Sequence, residues 1–194
     1  MKRIIYLIYR IICLFINAII LLLNNSSFMI PNVRQIFGII RIRNNGKIIV
    51  GKKLKIISAF SYNPIGFMSF TSIFVQKNAV LRIGDYTGIS NSIIYCSYNI
   101  EIGSNVFIGG DCKIYDTDFH SLNYDKRISD SDNDIHKNIV RIENGVFLGT
   151  GCIILKGITI GEKSIIGAGS VVSKSIPPNQ IWAGNPIKYL RSII

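Results

Sequence analysis

Between residues 140 and 172 an apolar side chain returns at every sixth position, at Leu148, Ile154, Ile160, Ile166 and Val172. Glycine follows three of them, as Gly149, Gly161 and Gly167, and a second glycine row at Gly145, Gly151, Gly157 and Gly169 keeps the same step with one gap. A step of six is a multiple of the strand period of 2, so these residues can share one face of short strands, whereas the step drifts around a helix of 3.6 residues per turn. Glycines at fixed offsets mark where the backbone turns tightly or takes φ > 0. Each hexad therefore reads as a short strand followed by a corner, and the stretch reads as a parallel β-helix. The strands of a β-sandwich would instead recur irregularly, about 8–12 residues apart. The register is found again upstream, in Ile102, Ile108 and Ile114 and in Ile83, Ile89 and Tyr95, the two runs separated by one extra residue. An earlier run, Ile36, Ile42, Ile48, Leu54 and Phe60, keeps the step without the glycines.

Stacked buried strands favour β-branched side chains, and isoleucine is the commonest residue of this chain. With 194 residues, of which 48% are hydrophobic, the chain suits one folded domain and is not disordered. Cys13, Cys96, Cys112 and Cys152 make no metal-binding spacing, and the opening residues hold no cleavable signal, so reduced thiols in a cytoplasmic protein are expected. The net charge of +11 is unevenly spread, with twelve Lys and Arg from Lys2 to Arg82 and no acidic residue before Asp85. Such a field favours an anionic partner. Nucleic acid is disfavoured, because neither a recognition helix nor aromatic residues interleaved with basic ones accompany the charge. An anionic membrane surface fits the neighbouring sequence.

That neighbour is residues 4–23, helix-length and mostly apolar. Its polar residues fall seven apart, at Arg3, Arg10, Asn17 and Asn24, with Tyr6 and Cys13 in the same stripe. A helix here has one narrow polar seam and is apolar elsewhere. An unpartnered Arg inside a span is costly, so the expectation is a helix in or dipping into the interface, the seam facing protein or headgroups; a full span and a helix buried against sister subunits are the rivals. Two regions follow: a membrane-associated helical segment over 1–30, ended around Pro31, and a solenoid over 31–194. NPIG at 63–66 reads as a turn, Pro177-Pro178 closes the last rung, and AGNP with IKYLRSII forms a cap, the latter as a short helix or strand. Residues 116–139 are polar and acidic, carry no six-residue step and interrupt two good repeat blocks. They must project as a loop, where function concentrates.

His120, one of 2 histidines, stands near the start of that loop. A neutral imidazole can take a proton from a hydroxyl at cytoplasmic pH, as acyl transfer to an alcohol requires. Asp116 and Asp118 are near enough in sequence to orient its ring or to hold substrate hydroxyls. A zinc site wants three or four ligands, and His136 is sixteen residues away, so no metal is expected.

The blocks at 100–122, 146–179 and 181–191 resemble the hexapeptide-repeat acyltransferases, specifically the group that O-acetylates sugars, with maltose, galactoside and polysaccharide O-acetyltransferases as relatives. The resemblance covers roughly residues 80–191. It implies a left-handed parallel β-helix, assembled as a homotrimer, with acetyl-CoA as co-substrate in a groove between neighbouring subunits. It places His120 as the catalytic base and Thr150, Ala168, Ser173, Lys174 and Arg191 along the CoA groove. Lys188 stands where those relatives have an arginine and would join Lys174 and Arg191 at the CoA phosphates. Ser90 stands where they have an acceptor-contacting asparagine, and Asn91 beside it offers the same chemistry. The activity implied is O-acetyl transfer to a carbohydrate hydroxyl, in capsular or other surface polysaccharide biosynthesis, at the cytoplasmic face of the inner membrane through residues 1–24. The alternatives are a serine or amino-sugar acyltransferase on the same scaffold and a non-catalytic membrane-associated solenoid. A γ-type carbonic anhydrase would need three metal-binding histidines, and the chain has 2.

Overall fold

The computed structural model describes residues 2–24, 32–65, 70–129 and 134–193. The chain begins with helix α1 (Lys2–Leu23) and then winds. The first coil holds β1 (Ile36–Gly38), β2 (Arg41–Asn44) and β3 (Lys47–Val50); the second holds β4 (Lys55–Ser58), β5 (Ser72–Val75) and β6 (Val80–Ile83). The third holds β7 (Gly88–Ser90), β8 (Ile93–Cys96) and β9 (Asn99–Ile102). In the fourth, β10 (Phe107–Ile108) and β11 (Lys113–Tyr115) are followed by an excursion containing the short helix α2 (Tyr124–Ile128) before β12 (Val140–Ile142). The fifth holds β13 (Phe147–Leu148), β14 (Ile153–Ile154) and β15 (Thr159–Ile160). After β16 (Ile165–Ile166) and β17 (Val171–Val172), β18 (Gln180–Ala183) and β19 (Lys188–Ser192) end the structure.

Every third strand joins the same sheet. The first sheet runs β1-β4-β7-β10-β13-β16-β18-β19, the second β2-β5-β8-β11-β14-β17 and the third β3-β6-β9-β12-β15. The strands pair in parallel, and only β19 returns antiparallel on β18. This is the parallel β-helix expected from the repeats, three sheets around one apolar core, left-handed as the family resemblance implies. Its handedness is an exception to the right-handed crossover rule.

The periodicity sorts inside from outside. Leu148, Ile154, Ile160, Ile166 and Val172 are all fully buried, each contributing about 1.5–3 kcal/mol of apolar burial. The glycine row takes φ +69 at Gly145, +74 at Gly151, +78 at Gly157 and +70 at Gly169, and its gap is filled by Lys163 at φ 59. Gly161 serves close approach instead: a Cβ there would stand 2.4 Å from the Pro178 nitrogen, which is backbone and cannot yield. Two expected positions are corrected. Ile94 fills the core where Tyr95 was expected, because the corner after Ile89 is one residue shorter, and Tyr95 faces outward. Of the early run, Ile36, Ile42, Ile48 and Leu54 are buried, but Phe60 is 62% exposed and Ile56 takes the inward place on the second coil. The terminal segment is a strand rather than a helix. Pro31 and Gly66, parts of the expected helix end and turn, lie outside the described residues.

All four cysteines are free and buried. Burial, followed by the neighbouring Asp116 carboxylate, pushes the Cys96 thiol up, so it stays protonated and unreactive at neutral pH. Native protein should therefore take up almost no Ellman's reagent at pH 8, and the 4 thiols of the chain should react together once it is unfolded; titration of a thiol in native buffer would contradict the packing.

Helix α1 is long and apolar enough, over Ile4–Leu23, to cross a bilayer. Its polar seam is turned toward the first coil. Asn17 Nδ2 donates to the Gly38 carbonyl (2.8 Å), the Ile40 amide donates to Asn17 Oδ1 (3.1 Å), and the Arg10 guanidinium donates to the Ile36 and Arg34 carbonyls. β1 is an edge strand, so these side chains cover polar backbone at the open end of the first sheet. Cys13 and Leu21 are buried on the same side.

Candidate active site

The excursion at 116–139 leaves the corner between the second and third sheets, and its root is clamped. Thr117 and Lys137 bridge antiparallel. The Asp118 amide donates to the His136 carbonyl (3.1 Å), and the Asn138 amide to the Asp116 carbonyl (3.0 Å). Beneath them the Asp116 carboxylate accepts from the Ser97 amide (2.7 Å) and the Tyr98 amide (2.8 Å) of the preceding coil. Asp116 is fully buried. Both of its oxygens thereby fasten the corner at the root of the loop.

Asp118 differs. Its Oδ1 pairs with Lys156 Nζ at 3.0 Å, one coil on, while its Oδ2 is buried without a protein partner among the described residues. Phe119 takes φ 67 and folds its ring back onto the outer face of the second sheet, with centroids 4.8 Å from Tyr95 and 5.1 Å from Tyr115. With Phe119 turned down, the next residue, His120, is exposed to solvent. Asn123 caps α2 by accepting from the Lys126 amide (3.1 Å), and Lys126 pairs with Asp134 (2.7 Å). This pairing holds the Asp134 carboxyl below the usual carboxylate range. A recess of about 310 Å³ beside the root is lined by Gln76, Lys77, Tyr95, Ser97, Thr117 and Phe119, among others. Neither Lys156 nor this aromatic cluster was read from the sequence. Lys156 was findable: it precedes Lys174 by 18 residues, three hexads, and so sits on the same corner one coil earlier.

The residues expected along a CoA groove divide between two corners. Thr150 and Ala168 follow β13 and β16, between the first and second sheets, and stack through the Gly169 amide, which donates to the Thr150 carbonyl (2.8 Å). The same corner continues through Gly184, whose carbonyl accepts from the Val171 amide (3.2 Å), toward β19, where Lys188 pairs in register with Ala183. Arg191 is exposed farther along β19. Ser173 and Lys174 instead follow β17, on the corner that bears the loop, and Lys174 Nζ lies 5.0 Å from the centre of the Trp182 ring. Of the expected acceptor contacts, Ser90 faces a recess of about 270 Å³ on the outer face of the first sheet with Lys55, Ile57, Phe107 and Phe147. Asn91 is fully buried, takes φ 41 and donates from Nδ2 to the Asn63 carbonyl (3.0 Å). It shapes the corner, and its Oδ1 is buried with no hydrogen-bond partner among the described residues. His120 and the Thr150–Ala168 row thus stand on opposite edges of one sheet. Among the described residues no cluster of three or more His, Cys, Asp or Glu could hold a metal ion.

The family described as bacterial transferase hexapeptide (six repeats) matches residues 139–174. The galactoside O-acetyltransferase of Escherichia coli is 36% identical over 130 residues, which are 67% of this chain and 59% of that protein. The chain thus spans less than two thirds of that relative. Among solved structures, a maltose O-acetyltransferase from Clostridium difficile is similar at 28% identity and TM-score 0.52, over 97% of this chain and 88% of that one. A hexapeptide-repeat acetyltransferase from Vibrio cholerae, complexed with acetyl coenzyme A, is similar at 25% identity and TM-score 0.54, over 88% of this chain and 78% of that one.

Proposed function

Because the chain belongs to the hexapeptide-repeat transferase family, we propose that it transfers an acetyl group from acetyl-CoA to a carbohydrate hydroxyl. The acceptor class is a lipid-linked or nascent surface polysaccharide at the cytoplasmic face of a membrane. One observation carries this reading: a solenoid of this type holds out a clamped loop that exposes His120. His120 takes the proton of the acceptor hydroxyl as the oxygen attacks the thioester carbonyl. The tetrahedral intermediate collapses, the carbon–sulfur bond breaks, and the thiolate of CoA receives the proton from the imidazolium. Asp118, with one oxygen on Lys156, keeps the other for an acceptor hydroxyl. Thr150, Ala168 and Lys188 make one continuous edge suited to an extended ligand with phosphates at its basic end.

Two outer faces support a homotrimer. On the first sheet Gly88, Phe107, Phe147, Ile165 and Ile181 stand in one register column, and on the second Ile93, Lys113, Ile153 and Val171 do. The third sheet carries Arg82, Glu101 and Arg141 outward, with Arg141 paired to Glu101 at 3.1 Å. Apolar faces on two sides and a charged one on the third suit three copies around an axis, in which the loop of one copy can meet the Thr150 corner of the next. Phe107→Arg should convert the trimer to monomers by sedimentation and abolish turnover with it; a trimer that survives would remove the first sheet from the interface.

The direct test measures acetyl-CoA thioester turnover by the detergent-purified protein against a panel of sugars and polysaccharide fragments, with CoA binding measured separately. CoA binding with sugar-dependent turnover is expected. Absence of CoA binding would end the acetyltransferase reading in favour of a non-catalytic scaffold.

A further inference from the structure

The face of α1 opposite its docked seam is apolar throughout. At 100° per residue, Ile4, Ile5, Ile8, Ile11, Ile12, Phe15, Ile19, Leu22 and Leu23 cluster on that side, all are exposed, and no polar residue interrupts them. Monomeric proteins rarely expose so large an apolar patch without a partner. Around the same end of the solenoid the first coil and its neighbouring turns expose Arg34, Arg41, Arg43, Lys47, Lys52 and Lys53. Asp85 of the next coil stands beside Lys52, its carboxylate accepting the Lys52 amide (2.7 Å), and the six cations against this one carboxylate leave the rim cationic overall. An apolar face ringed by cations is complementary to acyl chains beneath anionic headgroups.

The docking contacts fix how the helix meets that surface. Arg10 bonds to carbonyls at 34 and 36 and Asn17 bonds to 38 and 40, so the helix advances alongside the first coil in the same direction. Strands of a β-helix run across its axis, and α1 therefore lies across the end of the solenoid. The contacts at Arg10, Cys13, Asn17 and Leu21 occupy the middle and second half of α1. A helix spanning the bilayer would have to carry the polar first coil into hydrocarbon or tear Arg10 and Asn17 from their partners, leaving both unpaired there.

We infer that α1 is a monotopic anchor that lies in the plane of an anionic membrane surface, with the solenoid standing upright on it. This rests on the reading of a membrane-bound acceptor and adds a height. From β2 to β11 along the second sheet there are three strand steps, each about 4.8 Å, so the root of the His120 loop stands about 14 Å above the coil that touches the helix. The acceptor class at that height is the membrane-proximal part of a lipid-anchored glycan rather than a distant chain end.

The test places tryptophans on the helix. The sole native one, Trp182, lies in β18 at the far end of the solenoid and serves as the internal reference. Ile8→Trp and Leu22→Trp proteins are bound to phosphatidylcholine vesicles with or without phosphatidylglycerol, and fluorescence is quenched by lipids brominated at different acyl depths. The inference expects both new tryptophans at the same shallow depth, Trp182 unquenched, and binding at least about tenfold tighter with phosphatidylglycerol. Depths that differ by about 21 Å, the rise of fourteen helical residues, would mean a span and overturn it. Blue-shifted, concentration-dependent emission without vesicles would mean that a second copy covers the face, and would overturn it too. Failure to bind vesicles while the protein still acetylates soluble oligosaccharides would refute the membrane geometry and leave the proposed activity standing. Vesicle binding without any acetyl transfer would do the reverse.

Discussion

His120→Ala is expected to lower the turnover number for acetyl transfer by about 10²–10⁴-fold, the usual worth of a general base, while leaving CoA affinity unchanged. The expectation follows from where the loop places its strength. Its root is held by Asp116, the Thr117–Lys137 bridge and the Asp118–Lys156 pair, and none of these contacts uses the imidazole. The side chain is exposed and can be truncated without a cavity. Positioning of both substrates in one groove supplies a separate part of the rate, so activity should persist at a low level. Single-turnover kinetics beside calorimetric CoA binding would separate the two. Normal turnover in the variant would reduce His120 to a surface residue of the loop and require another base.

Asp116→Ala is expected to be the most damaging loop substitution for stability. Both carboxylate oxygens accept backbone amides, from Ser97 at 2.7 Å and Tyr98 at 2.8 Å, in a fully buried position. Hydrogen bonds to a charged group are worth about 1.5–3 kcal/mol each, so losing the two should cost about 3–6 kcal/mol. For a chain of this size that lowers the melting temperature by roughly 10 °C or more. Turnover should fall with it, because the same residue's carbonyl receives the Asn138 amide where the loop returns. Asp116→Asn keeps one acceptor oxygen but turns an NH₂ toward an amide donor, and should recover half of the loss at best. A variant that melts like the wild type yet turns over poorly would contradict the structural role and restore Asp116 as a partner of His120. Asp118→Ala provides the comparison: with a single, partly buried ion pair lost it should cost less stability than Asp116→Ala, and any large effect on turnover would be local to the acceptor.

The six-residue step predicted the solenoid, because a residue that returns every sixth position stays on one face of successive short strands while the glycines turn the chain between them. It also predicted which side chains enter the core from Leu148 to Val172 and where the backbone must take positive φ. The step failed at Tyr95 and Phe60, where a corner gains or loses a residue and local sequence cannot say which neighbour turns inward. The seven-residue seam of α1 was likewise legible, since polar groups confined to one stripe must be satisfied on one side. That its partner is the first coil, through Asn17 and Arg10, depended on where the edge of the first sheet ends up. The same limit applies to the site. Sequence proximity put Asp116, Asp118 and His120 together, yet contacts with neighbouring coils clamp the first onto the Ser97 and Tyr98 amides and pair the second with Lys156, and the positive φ of Phe119 turns the third outward. Thr150 and Ser173, expected along one groove, lie on different corners. The sequence by itself determined the repeat, the core, the projecting loop and the two-sided character of α1, all of which follow from spacing. Only the tertiary structure decided which carboxylate is structural, which corner each groove residue occupies and which way the apolar face of α1 points, because those depend on contacts between coils that spacing alone does not fix.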